Sequence, residues 1–111
     1  KPIIELLTDG KLDASEMTLN NAELLCDSAP WGQGFEEPIF YGDFEILEQK
    51  IVGERHLKCT LKLIDASAIF EGIAFFQGKL ETKQVRVAYK LNVNSFRGNE
   101  SLQLMIESIE D

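Results

Sequence analysis

Catalysis by a protein side chain needs a nucleophile, an acid–base group or a cage for a metal, and this sequence offers little of any. There is one histidine, His56, in the run Arg55-His56-Leu57-Lys58. No second histidine and no close pair of cysteines gives it metal-ligand spacing. The two cysteines, Cys26 and Cys59, stand far apart within apolar patterns and read as small core residues. No base, nucleophile and acid are grouped as a triad would need. Gly32-Gln33-Gly34 hints at a phosphate loop, but it lacks a third glycine and runs into Pro38 instead of a helix. The many acids fall in the front of the chain and on strand edges, where solvated surface is the ordinary reading. No catalytic residue, metal or cofactor is therefore expected within these residues.

Binding chemistry is better represented. The formal charge of −8 argues at first against a polyanionic partner. Its distribution reverses that: residues 1–48 hold two lysines against eleven acids, net −9, while residues 50–99 hold nine bases against four acids, net +5. A basic half hidden in an acidic chain suggests one side facing a polyanion and another facing away. Arg55, His56, Lys58 and Lys62 crowd one segment, and Arg86 and Lys90 another. Phe96 and Arg97 stand together beside Gly98. An aromatic ring beside an arginine can stack on a base and hold a phosphate. The same pair also suits an ordinary hairpin tip, and lysines and arginines line the outside of most strands.

These residues need elements to position them. In Val85–Asn94 the residues Val85, Val87, Tyr89, Leu91 and Val93 alternate with Arg86, Ala88, Lys90, Asn92 and Asn94, the pattern of a half-buried strand. Leu102, Leu104 and Ile106 repeat it beyond the turn SFRGN. Leu57, Cys59, Leu61 and Leu63 alternate with His56, Lys58, Thr60 and Lys62. Phe44 and Ile46 share one parity and Leu47, Gln49 and Ile51 the other, which predicts a β-bulge bending a long first strand. Gly53-Glu54 reads as a two-residue turn. Residues 68–76, AIFEGIAFF, are apolar on both parities, so their faces stay unassigned, and Gly72 suggests a bend.

The expected strands lie at about 44–52, 55–63, 68–76, 84–94 and 101–109, a mainly β, five-stranded OB-like barrel. An SH3-like barrel fits the same strand count. A short strand over Pro2–Leu7 and one short helix over Leu19–Ser28, capped by Thr18 and striped by Leu19, Ala22, Leu25 and Ala29, precede it. The organisation is thus an acidic connector (1–30), an aromatic and glycine-rich loop (31–43) and the barrel (44–111). No run approaches the roughly 18 apolar residues of a membrane span, and no signal-peptide pattern opens the chain. A reducing cytoplasm and no membrane partner are expected. The chain does not start with methionine, which fits a piece of a longer protein.

Three colinear stretches carry a family resemblance: PWGQGFEEPIF (Pro30–Phe40), VGERHLKCTL (Val52–Leu61) and AYKLNVNSFRGNESLQL (Ala88–Leu104). Together they resemble RecJ, the family of single-strand-specific bacterial DNA exonucleases, with Glu36 standing where a proline is expected. The resemblance implies a non-catalytic domain that binds single-stranded DNA for a 5′-to-3′ exonuclease acting in repair and recombination. It implies magnesium or manganese held by the Asp and His motifs of a catalytic core, motifs these residues lack. Alternation puts His56, Lys58 and Lys62 on one face of their strand and Arg86 and Lys90 on one face of theirs, so a shared groove is expected; with the resemblance, DNA contact is expected of Arg55, His56, Lys58, Lys62, Arg86, Lys90, Phe96 and Arg97. The expected partners are single-stranded DNA, the catalytic core of the same parent chain and single-strand-binding protein. A competing reading makes the basic face a dock for an acidic peptide, or makes the barrel a brace for the nuclease core.

Overall fold

The computed structural model describes residues 10–27 and 37–110. A 3-10 turn (Ala14–Glu16) and a helix, α1 (Leu19–Asp27), precede five strands: β1 (Phe40–Val52), β2 (His56–Leu63), β3 (Ile69–Ala74), β4 (Gln84–Phe96) and β5 (Asn99–Glu110). They close into a barrel in the order β1-β2-β3-β5-β4. Every neighbouring pair is antiparallel except β3 and β5, which run parallel through Gly72↔Leu104 and Ile73↔Met105. Five bent strands wired this way make an OB barrel, as the alternation predicts, rather than the SH3-like alternative.

Closure depends on β1 bending. Its first half pairs with β4 (Phe40↔Tyr89 to Glu45↔Gln84) and its second with β2 (Phe44↔Leu63 to Val52↔His56). Between Ile46 and Glu48 the register shifts, and Leu47 is the extra residue, 43% exposed. This is the slip of parity read from the sequence. Phe40, Phe44 and Tyr89 fill the middle of the core at 0–1% exposure. Tyr89 meets Phe44 edge-on at 5.9 Å and Phe40 at a tilt at 6.2 Å, each such pair contributing about 0.5–1.5 kcal/mol beyond area burial. Burial, with the nearby Glu16 carboxylate adding to it, raises the phenol pKa of Tyr89. Burial likewise pushes the Cys59 thiol up to about 11.

Gly72 marks a place of close packing. It is buried on β3 opposite both Cys59 and Leu104. A Cβ there would stand 2.9 Å from Ile106 Cδ1 and 3.2 Å from Leu61 Cδ1. The missing side chain lets β3 approach its neighbours where the barrel closes.

α1 packs against β4 and β5 with Ala22 and Leu25 inward. Its start is fixed as expected: Thr18 Oγ1 accepts the Asn21 N–H at 3.1 Å, a cap worth about 1 kcal/mol. Cys26 is exposed, so only Cys59 is the core thiol the apolar patterns suggested for both. The connector reaches the barrel where Tyr41 N–H donates to the Gly10 carbonyl at 2.8 Å. No helix joins β3 to β4. Instead the Gln49 side chain grips the Leu80 backbone, donating from Nε2 at 2.9 Å and accepting at Oε1 at 2.6 Å.

Other boundaries moved. β1 begins at Phe40, so residues 40–43 belong to the sheet and not to the preceding loop. The β1–β2 turn has three residues, Gly53 (φ 62°), Glu54 and Arg55, because Val52 pairs with His56. The expected strand at Pro2–Leu7, Ala29 and most of the aromatic loop lie outside the described residues.

Candidate nucleic-acid interface

Directly opposed residues of antiparallel strands share a face of the sheet. Register therefore lays out the outer wall of β1, β2 and β3 in rows. Val52 and His56 form the first, at the end where β3 gives way to Phe75. Lys50, Lys58 and Ile73 form the second. Glu48, Thr60 and Glu71 form the third, and Glu45, Lys62 and Ile69 the fourth. The positive charge is thus not spread along the wall. Lys50 and Lys58 face each other next to the β1–β2 turn carrying Arg55, and the acids Glu48 and Glu71 stand behind them. A groove of about 420 Å³ runs between these rows, lined by Glu48, Lys50, Lys58, Thr60 and Glu71 among others.

The same end carries an aromatic cluster that the alternation pattern missed. His56 is edge-on to Phe75 at 4.9 Å and to Phe76 at 5.1 Å. Its Nδ1 accepts the Phe76 backbone N–H at 3.3 Å. Phe76 has φ 57° and leaves 80% of its surface exposed; Phe75 leaves 49%. The signal was present in AIFEGIAFF: a six-residue strand has room inside for Phe70, Gly72 and Ala74, and Phe75-Phe76 then overrun it. A pocket of about 200 Å³ lies beside Phe76, lined by Ile51, Glu54, Arg55, Gln77 and Gly78.

Arg55, His56 and Lys58 are therefore brought together, with Lys50 joining them. Lys62 stands at the far end of β2, opposite Glu45 and Ile69. Arg86 and Lys90 are not on this wall. They project from β4, whose hydrogen-bonded neighbours are β1 and β5, so the shared groove expected from alternation alone divides in two. Both are engaged there: Arg86 Nε donates to Asp43 Oδ1 at 3.0 Å, and Lys90 Nζ lies 3.6 Å from Glu107 Oε1. The guanidinium hydrogen bond holds the Asp43 carboxyl below its usual range. By contrast, among the described residues no carboxylate lies within 4 Å of Arg55, Lys58 or Lys50.

Phe96 and Arg97 occupy the β4–β5 tip, with Phe96↔Asn99 as the last pair. Arg97 (φ 52°) and Gly98 (φ 82°) have the two positive φ angles of a type I′ turn. The Arg97 guanidinium lies 5.1 Å from the centre of the Phe96 ring. Because β5 runs parallel to β3, this tip extends past the Lys62 end of the wall, away from Phe76. Among the described residues no three His, Cys, Asp or Glu side chains gather as metal ligands, so the residues present do not fit a divalent-ion site. No helix among them is long and apolar enough to cross a membrane.

Comparison with known proteins agrees with this barrel. Over 113 residues the chain is 44% identical to the single-stranded-DNA-specific exonuclease RecJ of Escherichia coli K12, covering 95% of this chain and 19% of that protein. The RecJ of Haemophilus influenzae is 44% identical over 110 residues, covering 93% and 19%. The chain thus spans about a fifth of the curated relatives it matches. The crystal structure of Thermus thermophilus RecJ with Mg2+ superposes with a TM-score of 0.57 at 27% identity, over 74% of this chain and 13% of that one. A structure of the same protein with Mn2+ matches over 74% and 12%, at the same TM-score. The model of the RecJ OB domain covers residues 8–108, and the chain belongs to that family.

Proposed function

We propose that this domain holds single-stranded DNA for a RecJ-type exonuclease of which it forms a part, with the strand lying on the β1–β2–β3 wall. The observation that carries this is the contrast in how cations are used. Arg86 and Lys90 have carboxylate partners, while Arg55, Lys58 and Lys50 have none within ion-pair distance among the described residues and flank exposed aromatic rings. Unneutralised cations beside aromatic faces suit a chain of alternating phosphates and bases. Lys62 and the Phe96–Arg97 tip extend the path at its other end. On this reading Arg86 and Lys90 brace the barrel through their ion pairs and contact DNA little.

The domain serves binding, and hydrolysis belongs to a catalytic core elsewhere in the parent protein, where magnesium or manganese would be held. The family resemblance carries with it a 5′-to-3′ direction of digestion, a place in repair and recombination in the cytoplasm, and single-strand-binding protein as a further partner. The test is a titration of a labelled oligothymidylate at two salt concentrations. Neutralising about three phosphates gives a slope of roughly −2 in log K against log salt, at about −0.7 per phosphate. Absence of binding, or binding indifferent to salt, refutes the reading.

A further inference from the structure

We propose that Phe76 is a stacking platform for one unpaired nucleobase, placed so that Arg55 and the Lys50–Lys58 pair take the adjoining phosphates. This deepens the single-strand-binding reading and rests on it. Three features of Phe76 converge. Its backbone is left-handed at φ 57°, a conformation that L-residues other than glycine, asparagine and aspartate seldom adopt. It falls in the turn at Phe75–Phe76 that follows β3, a place where glycine or asparagine is the usual occupant and a phenylalanine is not. The residue is 80% exposed, so little gain from core burial offsets the strain. An unfavourable backbone that presents an apolar ring to solvent is the mark of a binding position, not of a packing one.

The support beneath the ring points the same way. His56 accepts the Phe76 N–H and sets its own ring edge-on to Phe76, fixing where the phenylalanine stands. The face left open adjoins the 200 Å³ pocket with Ile51, Arg55 and Gln77, and Glu54 in the turn. That space is smaller than the roughly 300–1,000 Å³ of sites enclosing drug-sized ligands, and suits a single planar ring system. The occupant's charge follows from the surroundings. Cations uncompensated within ion-pair distance suit a ligand that joins a flat apolar face to an anion, which describes a nucleotide of a strand better than an apolar protein surface.

The experiment uses Phe76→Gly and Phe76→Trp in this 111-residue chain, with thermal melts and oligothymidylate titrations. Glycine relieves the left-handed backbone while removing the ring. Phe76→Gly is therefore expected to melt no lower than the parent, yet to bind about 5- to 100-fold more weakly with an unchanged salt slope. Phe76→Trp is expected to bind at least as well as the parent. On an oligomer with abasic sugars throughout, the Phe76→Gly penalty should vanish, because no base remains to stack. A lower melting temperature for Phe76→Gly, unaltered affinity, or an equal penalty on the abasic strand would each overturn the platform. These outcomes differ from failure of the underlying reading, in which the parent chain itself does not bind the oligonucleotide.

Discussion

Two corners of the barrel each display a phenylalanine and each contain a non-glycine residue at positive φ, Arg97 at 52° and Phe76 at 57°. The likeness ends there. At the β4–β5 tip the angle belongs to the connection: a two-residue loop between twisted strands needs both central residues left-handed, and Gly98 supplies the second. The Phe96 ring already has a guanidinium 5.1 Å from its centre. At the other corner the angle falls in the turn at Phe75–Phe76, where a glycine would be at ease and a phenylalanine stands instead, and the Phe76 N–H is taken by a side chain, His56. A strained residue explained by its turn says little about ligands. One that also turns an apolar side chain to solvent beside unpaired cations is where a ligand should be sought.

The contrast can be broken most severely by charge reversal. Arg55→Glu with Lys58→Glu should weaken oligonucleotide binding more than 10-fold and flatten the salt dependence by about 1.4 in slope, two phosphates at about 0.7 each. Arg97→Glu should cost less, and Arg86→Glu least, because its guanidinium already serves Asp43. Equal losses for all four positions, measured by fluorescence anisotropy, would erase the distinction between the corners. Next in size, Gly72→Val should destabilise the fold by about 1–3 kcal/mol in urea denaturation, by pressing on Ile106 and Leu61. Below the unfolding transition, it should leave the ranking of the two corners as it was.

Smaller effects sharpen the comparison. Arg97→Asn keeps a residue tolerant of left-handed backbone and should change stability by under about 1 kcal/mol. The Cys59 thiol, whose ordinary value of 9.0 is raised to about 11, gives a pH signature beneath the wall. A folded-state pKa above the unfolded one means that stability is complete below about pH 9 and falls as pH rises toward 11. Replacing Cys59 by alanine should shallow that decline in melts taken across this interval.

Much of the architecture was legible because it is local. Alternation located β2, β4 and β5, and the parity slip at Ile46–Leu47 located the bulge. What the sequence hid is long-range. The barrel closes through the parallel β3–β5 contact, two residue pairs between segments far apart in the chain, and β3 is apolar on both parities. Alternation says which residues share a face of one strand, not which strands share a wall. Arg86 and Lys90 therefore read as companions of Lys58 until strand order separated them. Phe76 was missed for another reason: propensity gives no warning that a phenylalanine will take the left-handed place in a turn.

The grip of Gln49 on Leu80 has a consequence for variation at that site. A carboxamide offers one donor and one acceptor side by side, as a peptide unit does, so a single side chain stands in for an absent neighbouring strand. Glutamate has the same outline but, when ionised, only acceptors; it would satisfy the Leu80 amide and set an anion against the Leu80 carbonyl. The isosteric exchange is thus the damaging one, and the link from β3 to β4 would lose its anchorage without any change in the size of the residue that provides it.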